Sequence, residues 1–276
     1  MVSASSRLVA ALMCTVLATV PASAIIIRHD TGYDEYFARE ADFPAVFHLT
    51  DDNERPACIA TLIDASWAIT AAHCLRETPL QNHLDAGRPF SVEVAGQEVE
   101  IIDAVVHEHY APDSMHGGSD VDLALLRLDR ALGFPRPVPL YRQAKEQGRV
   151  MTFVGWGFHA VGSGGRFMND ERFRKARNTV TRAGDRLHFR FDDPVTPGSD
   201  ALPLEGLPGT GDSGGPALLF HEERWHLAGV AVGELARQGE DGADLRQGLY
   251  GAVVLYERLS IHQQWIDAVT GVSAGR

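Results

Sequence analysis

Apolar residues along this chain come in short bursts, at 45–49, 58–63, 67–70, 99–106, 123–128, 150–154, 187–191, 216–220, 227–232 and 249–256, each cut off by Gly, Pro or Asp. Bursts of this length and punctuation follow strand spacing, and so many in succession predict an all-β chain built as sandwiches or barrels. A proline-rich stretch, residues 134–139, interrupts the series near its middle and reads as an extended connection, which divides the chain into two barrels. Helical spacing is found only at the end: Leu259, Ile261, Trp265, Ile266 and Val269 fall on one face, with Gly271 as the stop. No internal repeat is visible.

Composition narrows the class. With 45% hydrophobic and 22% charged residues, the 276-residue chain can bury a core, so disordered, collagenous and low-complexity readings drop out. A formal charge of −12 would repel phosphates and anionic lipid, so neither nucleic acid nor a membrane surface is an expected partner. The one basic stretch, residues 166–182, reads as an exposed loop.

Residues 1–24 read as a signal peptide: Arg7, an apolar run over 8–20, then Pro21-Ala22-Ser23-Ala24 as an A-x-A cleavage site. The apolar run is well short of the roughly 20 residues a spanning helix needs. Cys14 follows Met13 rather than a small residue, which argues against a lipid anchor. The expectation is a secreted chain, extracellular or periplasmic, that begins at Ile25. Of three cysteines, Cys58 and Cys74 then remain in an oxidising compartment, where pairing is expected over two buried thiols.

Candidate chemistry lies in Gly211-Asp212-Ser213-Gly214-Gly215-Pro216. A neutral serine is a poor nucleophile and needs a base within hydrogen-bond reach, itself oriented by a third group. His73, in Thr70-Ala71-Ala72-His73-Cys74, offers the base, and Asp122, before the apolar run 123–126, offers the orienting carboxylate, with Asp120 as its neighbouring rival.

These three motifs, in the order His, Asp, Ser, resemble those of the chymotrypsin/trypsin-like serine protease family, in a bacterial-type secreted form. Val154-Gly155-Trp156-Gly157, the Cys58/Cys74 pair beside the histidine, and the run Tyr256-Glu257-Arg258-Leu259-Ser260 through Trp265-Ile266 extend the likeness over most of residues 25–271. The resemblance implies two six-stranded antiparallel β-barrels with a C-terminal α-helix. The first (25–138) carries His73 and Asp122, and the second (139–276) carries the nucleophile loop. It implies a triad of His73, Asp122 and Ser213, an oxyanion hole from the Gly211 and Ser213 amides, and a disulfide between Cys58 and Cys74. It also implies an ion pair between a freed Ile25 ammonium and Asp212. Signal cleavage after Ala24 would itself create that ammonium, with no propeptide, although Ile27-Arg28 stand where the family usually has two glycines.

For the specificity pocket the resemblance points to Leu207, Gly233 and Val254. None is acidic, which favours small or medium apolar side chains over a strict Lys/Arg preference. The family's pocket cysteine is Gly209 here, so the pocket lacks its disulfide, and Asp200 or Glu205 could fold into it. The strand 229–233 lacks the family's tryptophan and runs one residue short.

His107-Glu108-His109 has the spacing of a zinc pair, but no further ligand cluster accompanies it and a solvated strand end is preferred. The glycine-rich 162–165 lacks the Lys-Ser/Thr of a phosphate loop. Neither metal nor organic cofactor is expected, and a monomer acting on polypeptide substrate is. Two rivals remain. An α/β-hydrolase esterase would satisfy G-x-S-x-G but needs a helix after the serine and its histidine downstream. A protease-like binding module without catalysis would explain the altered pocket.

Overall fold

Strand geometry follows from alternation where one face meets water. In residues 90–94 Phe90, Val92 and Val94 are buried while Ser91 and Glu93 are exposed, the period-two signature of a half-buried strand. A computed structural model describes residues 25–112, 120–164, 167–168, 170–235 and 247–271. The expected signal peptide therefore lies outside the described residues.

After a two-residue strand β1 (Ile26–Ile27), six strands form the first sheet: β2 (Val46–Thr50), β3 (Pro56–Asp64), β4 (Trp67–Thr70), β5 (Phe90–Val94), β6 (Gln97–Val106) and β7 (Ala124–Leu128). They pair antiparallel in the order β2-β3-β4-β7-β6-β5, and the sheet curls until its edges β2 and β5 pack side by side. Two short helices, α1 (Cys74–Glu77) and α2 (Leu80–Asp85), fill the β4–β5 connection.

The second half comprises β8 (Val150–Gly155), β9 (Arg174–Ala183), β10 (Arg186–Arg190), β11 (Gly206–Leu207), β12 (Pro216–His221), β13 (Arg224–Glu234) and β14 (Val253–Arg258). All but β11 close into a hydrogen-bonded barrel, β10-β14-β13-β12-β8-β9. The result is two six-stranded antiparallel barrels with a C-terminal helix, as the sequence led us to expect. The proline-rich connection is extended: Val138 donates to Leu62 O in the first barrel, and Tyr141 donates to Leu227 O in the second.

Three local expectations need correction. The basic stretch is not a loop, because residues 174–183 form β9, with Arg174, Ala176, Asn178 and Val180 turned inward and Lys175 and Arg177 outward. The terminal helix α3 spans only Gln263–Thr270, since Leu259–Ile261 make a separate 3-10 turn and Ile261 is exposed. Gln263 donates its side-chain amide to Ser260 O, which caps that turn before the helix begins. His107 is buried against Trp265 (ring centroids 4.7 Å apart) rather than solvated, while His109 stays exposed.

One apolar cluster fills the first barrel and runs on to Val154, Leu218, Val230 and Leu255 of the second. Another lies within the second barrel and takes in the N-terminal segment, where Ile25, Ile26, Ile27 and Tyr36 pack with Phe153, Phe189 and Tyr256. β1 pairs with β11, Ile26 opposite Leu207. Among the described residues no helix is long and apolar enough to cross a membrane.

Candidate active site

His73 sits where β4 ends and α1 begins. Cys74, next to it, is bonded to Cys58 of β3 with the Cα atoms 5.9 Å apart, so the histidine turn is stapled to its own sheet. The Thr70 hydroxyl donates to Ile59 O at 2.7 Å and reinforces the same tie. Asp122 lies at the mouth of β7 and is 1% exposed. Its two oxygens grip His73 twice: Oδ1 accepts from the His73 backbone N–H at 2.9 Å, and Oδ2 lies 2.6 Å from Nδ1. Burial pulls the His73 pKa down, but the Asp122 hydrogen bond and charge, with a further push from Glu77, outweigh it, and the net shift is upward. Glu77 Oε2 lies 3.9 Å from Nε2, on the side of the ring away from Asp122.

The rival Asp120 is turned elsewhere. Arg186 donates to Asp120 O at 2.7 Å and, through Nε, to Glu257 Oε1 at 2.7 Å, and Glu257 Oε1 in turn accepts from the Asp122 backbone N–H at 3.1 Å. A buried charged pair of the second barrel thereby holds the Asp122 loop of the first.

Ser213 occupies the turn before β12. Its carbonyl accepts from Ile59 N–H at 2.7 Å, so the turn crosses to the first barrel and rests on β3. Gly211 has φ +93°, a conformation side chains rarely adopt, and its amide and that of Ser213 have no acceptor among the described residues. Asp212 points the opposite way, into the protein. Its carboxylate accepts from Gly157 N–H at 2.7 Å, Gly209 N–H at 2.9 Å and Ile25 N–H at 3.2 Å. The Gly-Trp-Gly motif now has a physical reason: a Cβ at Gly157 would come within 2.5 Å of Thr210 O and 2.7 Å of Asp212 N. Burial pushes the Asp212 pKa up to about 6, against the downward pull of its three amides.

A cleft of about 580 Å³ runs between the barrels. His73 and Glu77 face it from the first, and Gly211, Ser213, Gly233 and Val254 from the second. Leu207 does not: it is completely buried in the second core, paired with Ile26, because the chain before the nucleophile turn runs as β11 there. Asp200 and Glu205 also stay out of the cleft. Glu205 is buried and accepts from Asp192 and Leu202 N–H, and Asp200 lines a separate surface depression. A residue missed in the sequence takes their place. Glu234 lines the cleft, with Oε2 accepting from Gly248 N–H at 2.8 Å. The register shift between Ala231 and Gly233 brings it there, and the shortened strand was the available signal.

Cys58, His73 and Cys74 cluster closely enough to suggest metal ligands, but the disulfide occupies both sulfurs. What the site can do is acid–base and nucleophilic chemistry. An oriented imidazole and a hydroxyl share one cleft with Gly211, whose amide, like that of Ser213, has no acceptor among the described residues.

Comparison with known proteins points to one family. The sequence model of the trypsin family matches residues 32–250. The chain is similar to coagulation factor XI of Bos taurus, 29% identical over 227 residues, covering 76% of this chain and 33% of that protein. It is similar also to vitamin K-dependent protein C of Oryctolagus cuniculus, 27% identical over 265 residues (85% and 51%). Mannan-binding lectin serine protease 1 of Homo sapiens is 24% identical over 266 residues (85% and 35%). The chain thus spans between a third and about half the length of these relatives, all from vertebrates.

Proposed function

The chain belongs to the trypsin family of chymotrypsin-like serine proteases, and from that premise we propose that it is a secreted serine endopeptidase working through His73, Asp122 and Ser213. The observation that carries the reading is the doubly held His73–Asp122 pair facing the same cleft as Ser213. His73 Nε2 takes the proton of the Ser213 hydroxyl as its oxygen adds to the substrate carbonyl. The resulting oxyanion accepts from the Gly211 and Ser213 amides, each such donor being worth roughly 2.7–4 kcal/mol in the transition state. The imidazolium, stabilised by Asp122, gives its proton to the leaving amine, and an acyl-Ser213 ester remains. Water, deprotonated by His73, then releases the acid and restores the serine. Substrate preference is not restricted to Lys or Arg: Gly233 and Val254 present little bulk and leave room for small or medium apolar side chains, while Glu234, which also lines the cleft, offers a carboxylate to a basic one.

Maturation belongs to the same proposal. In the uncut chain Ile25 has φ +60°, costly for a β-branched residue, and offers Asp212 only a neutral amide. Cleavage after Ala24 releases that constraint and converts the amide to an ammonium beside a buried carboxylate. The expected mature protein begins at Ile25, which the mass of its N-terminal peptide checks. Activity is tested by a cleavage profile on a diverse peptide library, with the Ser213→Ala protein as control. Cuts made by the native protein and absent from the variant support the reading. Equal profiles, or none, favour a non-catalytic binding module.

A further inference from the structure

A second groove, of about 680 Å³, lies on the outer face of the second barrel and shares no lining residue with the catalytic cleft. β12 runs from one toward the other: the Ser213 turn leads into its start, and Phe220, which lines the second groove, stands near its end. The floor of the groove is aromatic. Phe220, 57% exposed, packs edge-on against Trp225 at 5.1 Å, and Trp225 leans on Phe43 at 5.7 Å. Arg149, from the turn before β8, and Lys175 and Arg177, on the outward face of β9, line it as well. Among the described residues no Asp or Glu lines the groove, and none of the three cations has an ion-pair partner there. In a chain with 37 acidic and 25 basic residues, three unneutralised cations around an exposed aromatic floor are a local inversion of charge.

We propose that this groove is a docking surface for an acidic polypeptide segment that carries apolar side chains, separate from the proposed proteolytic centre. The cations select the charge of the partner and raise its rate of encounter, while Phe220 and Trp225 provide the desolvated contact that holds it. The aromatic floor is what favours a polypeptide: a sulfated polysaccharide or an anionic bilayer surface would use the cations and leave Phe220 in water.

The test is fluorescence anisotropy of a short labelled peptide of alternating Glu with Leu and Phe, added to the full Ser213→Ala protein so that cleavage cannot confuse the readout. Saturable binding is expected, weakening severalfold as salt rises from about 0.05 M to about 0.3 M. Combined Arg149→Gln, Lys175→Gln and Arg177→Gln should weaken it at least about tenfold, and Phe220→Ser severalfold, with unchanged melting temperatures showing that the variants fold. An all-Glu peptide should bind more weakly than the mixed one. No saturable binding, or binding indifferent to the triple variant, overturns the proposal. So does dextran sulfate or an anionic phosphatidylserine vesicle binding equally well and insensitively to Phe220→Ser. Because the assay needs no catalysis, its failure and a failure of the protease reading are distinguishable.

Discussion

The two barrels hold their halves of the candidate site by different means. In the first, His73 is fixed by a disulfide to β3 and by two contacts to one carboxylate, whose loop is held in turn by Glu257 of the second barrel, and no contact in that arrangement involves Ile25. In the second, the Ser213 turn hangs on Asp212, a fully buried carboxylate whose partners are three amides, one of them that of Ile25. The base half is therefore complete in the uncut chain. On the proposed maturation, the half that carries Ser213 would gain its counter-charge only when the N-terminus is freed. Regulation, on that proposal, would act where electrostatics can change and not where a covalent bond fixes geometry.

That contrast can be broken from either side. Asp122→Asn should reduce kcat by roughly 10⁴-fold, the cost of holding the imidazole in the wrong tautomer, with the fold retained by circular dichroism. Asp212→Asn should cost less, on the order of 10²–10³ in kcat, the worth of one misplaced oxyanion donor. The low-field His73 Nδ1 proton resonance should survive in that variant and vanish in Asp122→Asn. Equal loss of the resonance in both would mean that the halves are not separately built.

Removing the staple is a stability experiment. Replacing Cys58 and Cys74 by Ala should lower unfolding free energy by about 3 kcal/mol, measured by denaturant titration. Asp212 predicts a difference in pH dependence between the uncut and cut chains. Its folded pKa of about 6 lies above the unfolded 3.8, so the uncut folded state binds the extra proton. The uncut chain should then be stabilised below pH 3.8 and lose roughly 3 kcal/mol as pH rises through about 6. Cleavage places an ammonium beside the carboxylate and should abolish or reverse this trend. Parallel urea titrations across pH on both forms compare them.

The smallest expected effect concerns Glu77, which is 60% exposed and screened by solvent. Because His73 must be neutral to act as base, kcat/KM falls as pH drops through its raised pKa. Glu77→Gln removes one of the upward pushes, so the acid limb of the profile should move to lower pH. A move to higher pH would contradict the assignment.

What the sequence made legible was chemistry carried by contiguous residues. Gly211-Asp212-Ser213-Gly214 and Ala72-His73-Cys74 announce a turn and its reactive groups within a few positions, and burst spacing gives the two barrels. The pocket walls were legible only in part: Gly233 and Val254 line the cleft, but elsewhere register is set by pairing between distant strands. Counting back from Ser213 reaches Leu207, which β1 draws into the core, and a bulge in β13 turns Glu234 into the cleft. β9 was misread for a related reason. Its outward positions carry Lys175 and Arg177, and its inward ones include Arg174 and Asn178, so polarity masked a strand. Arg174 is buried by an ion pair with Asp170 at 2.6 Å, a partner no periodicity announces.

The central claim is that Ser213 is activated by an imidazole from the other barrel, and covalent labelling tests it most directly. Incubating the mature protein with a serine-directed fluorophosphonate and mapping the adduct by mass spectrometry should find it on Ser213, with labelling lost in His73→Ala. An unlabelled protein under conditions that modify a control protease, an adduct on another serine, or labelling indifferent to His73 would contradict the account.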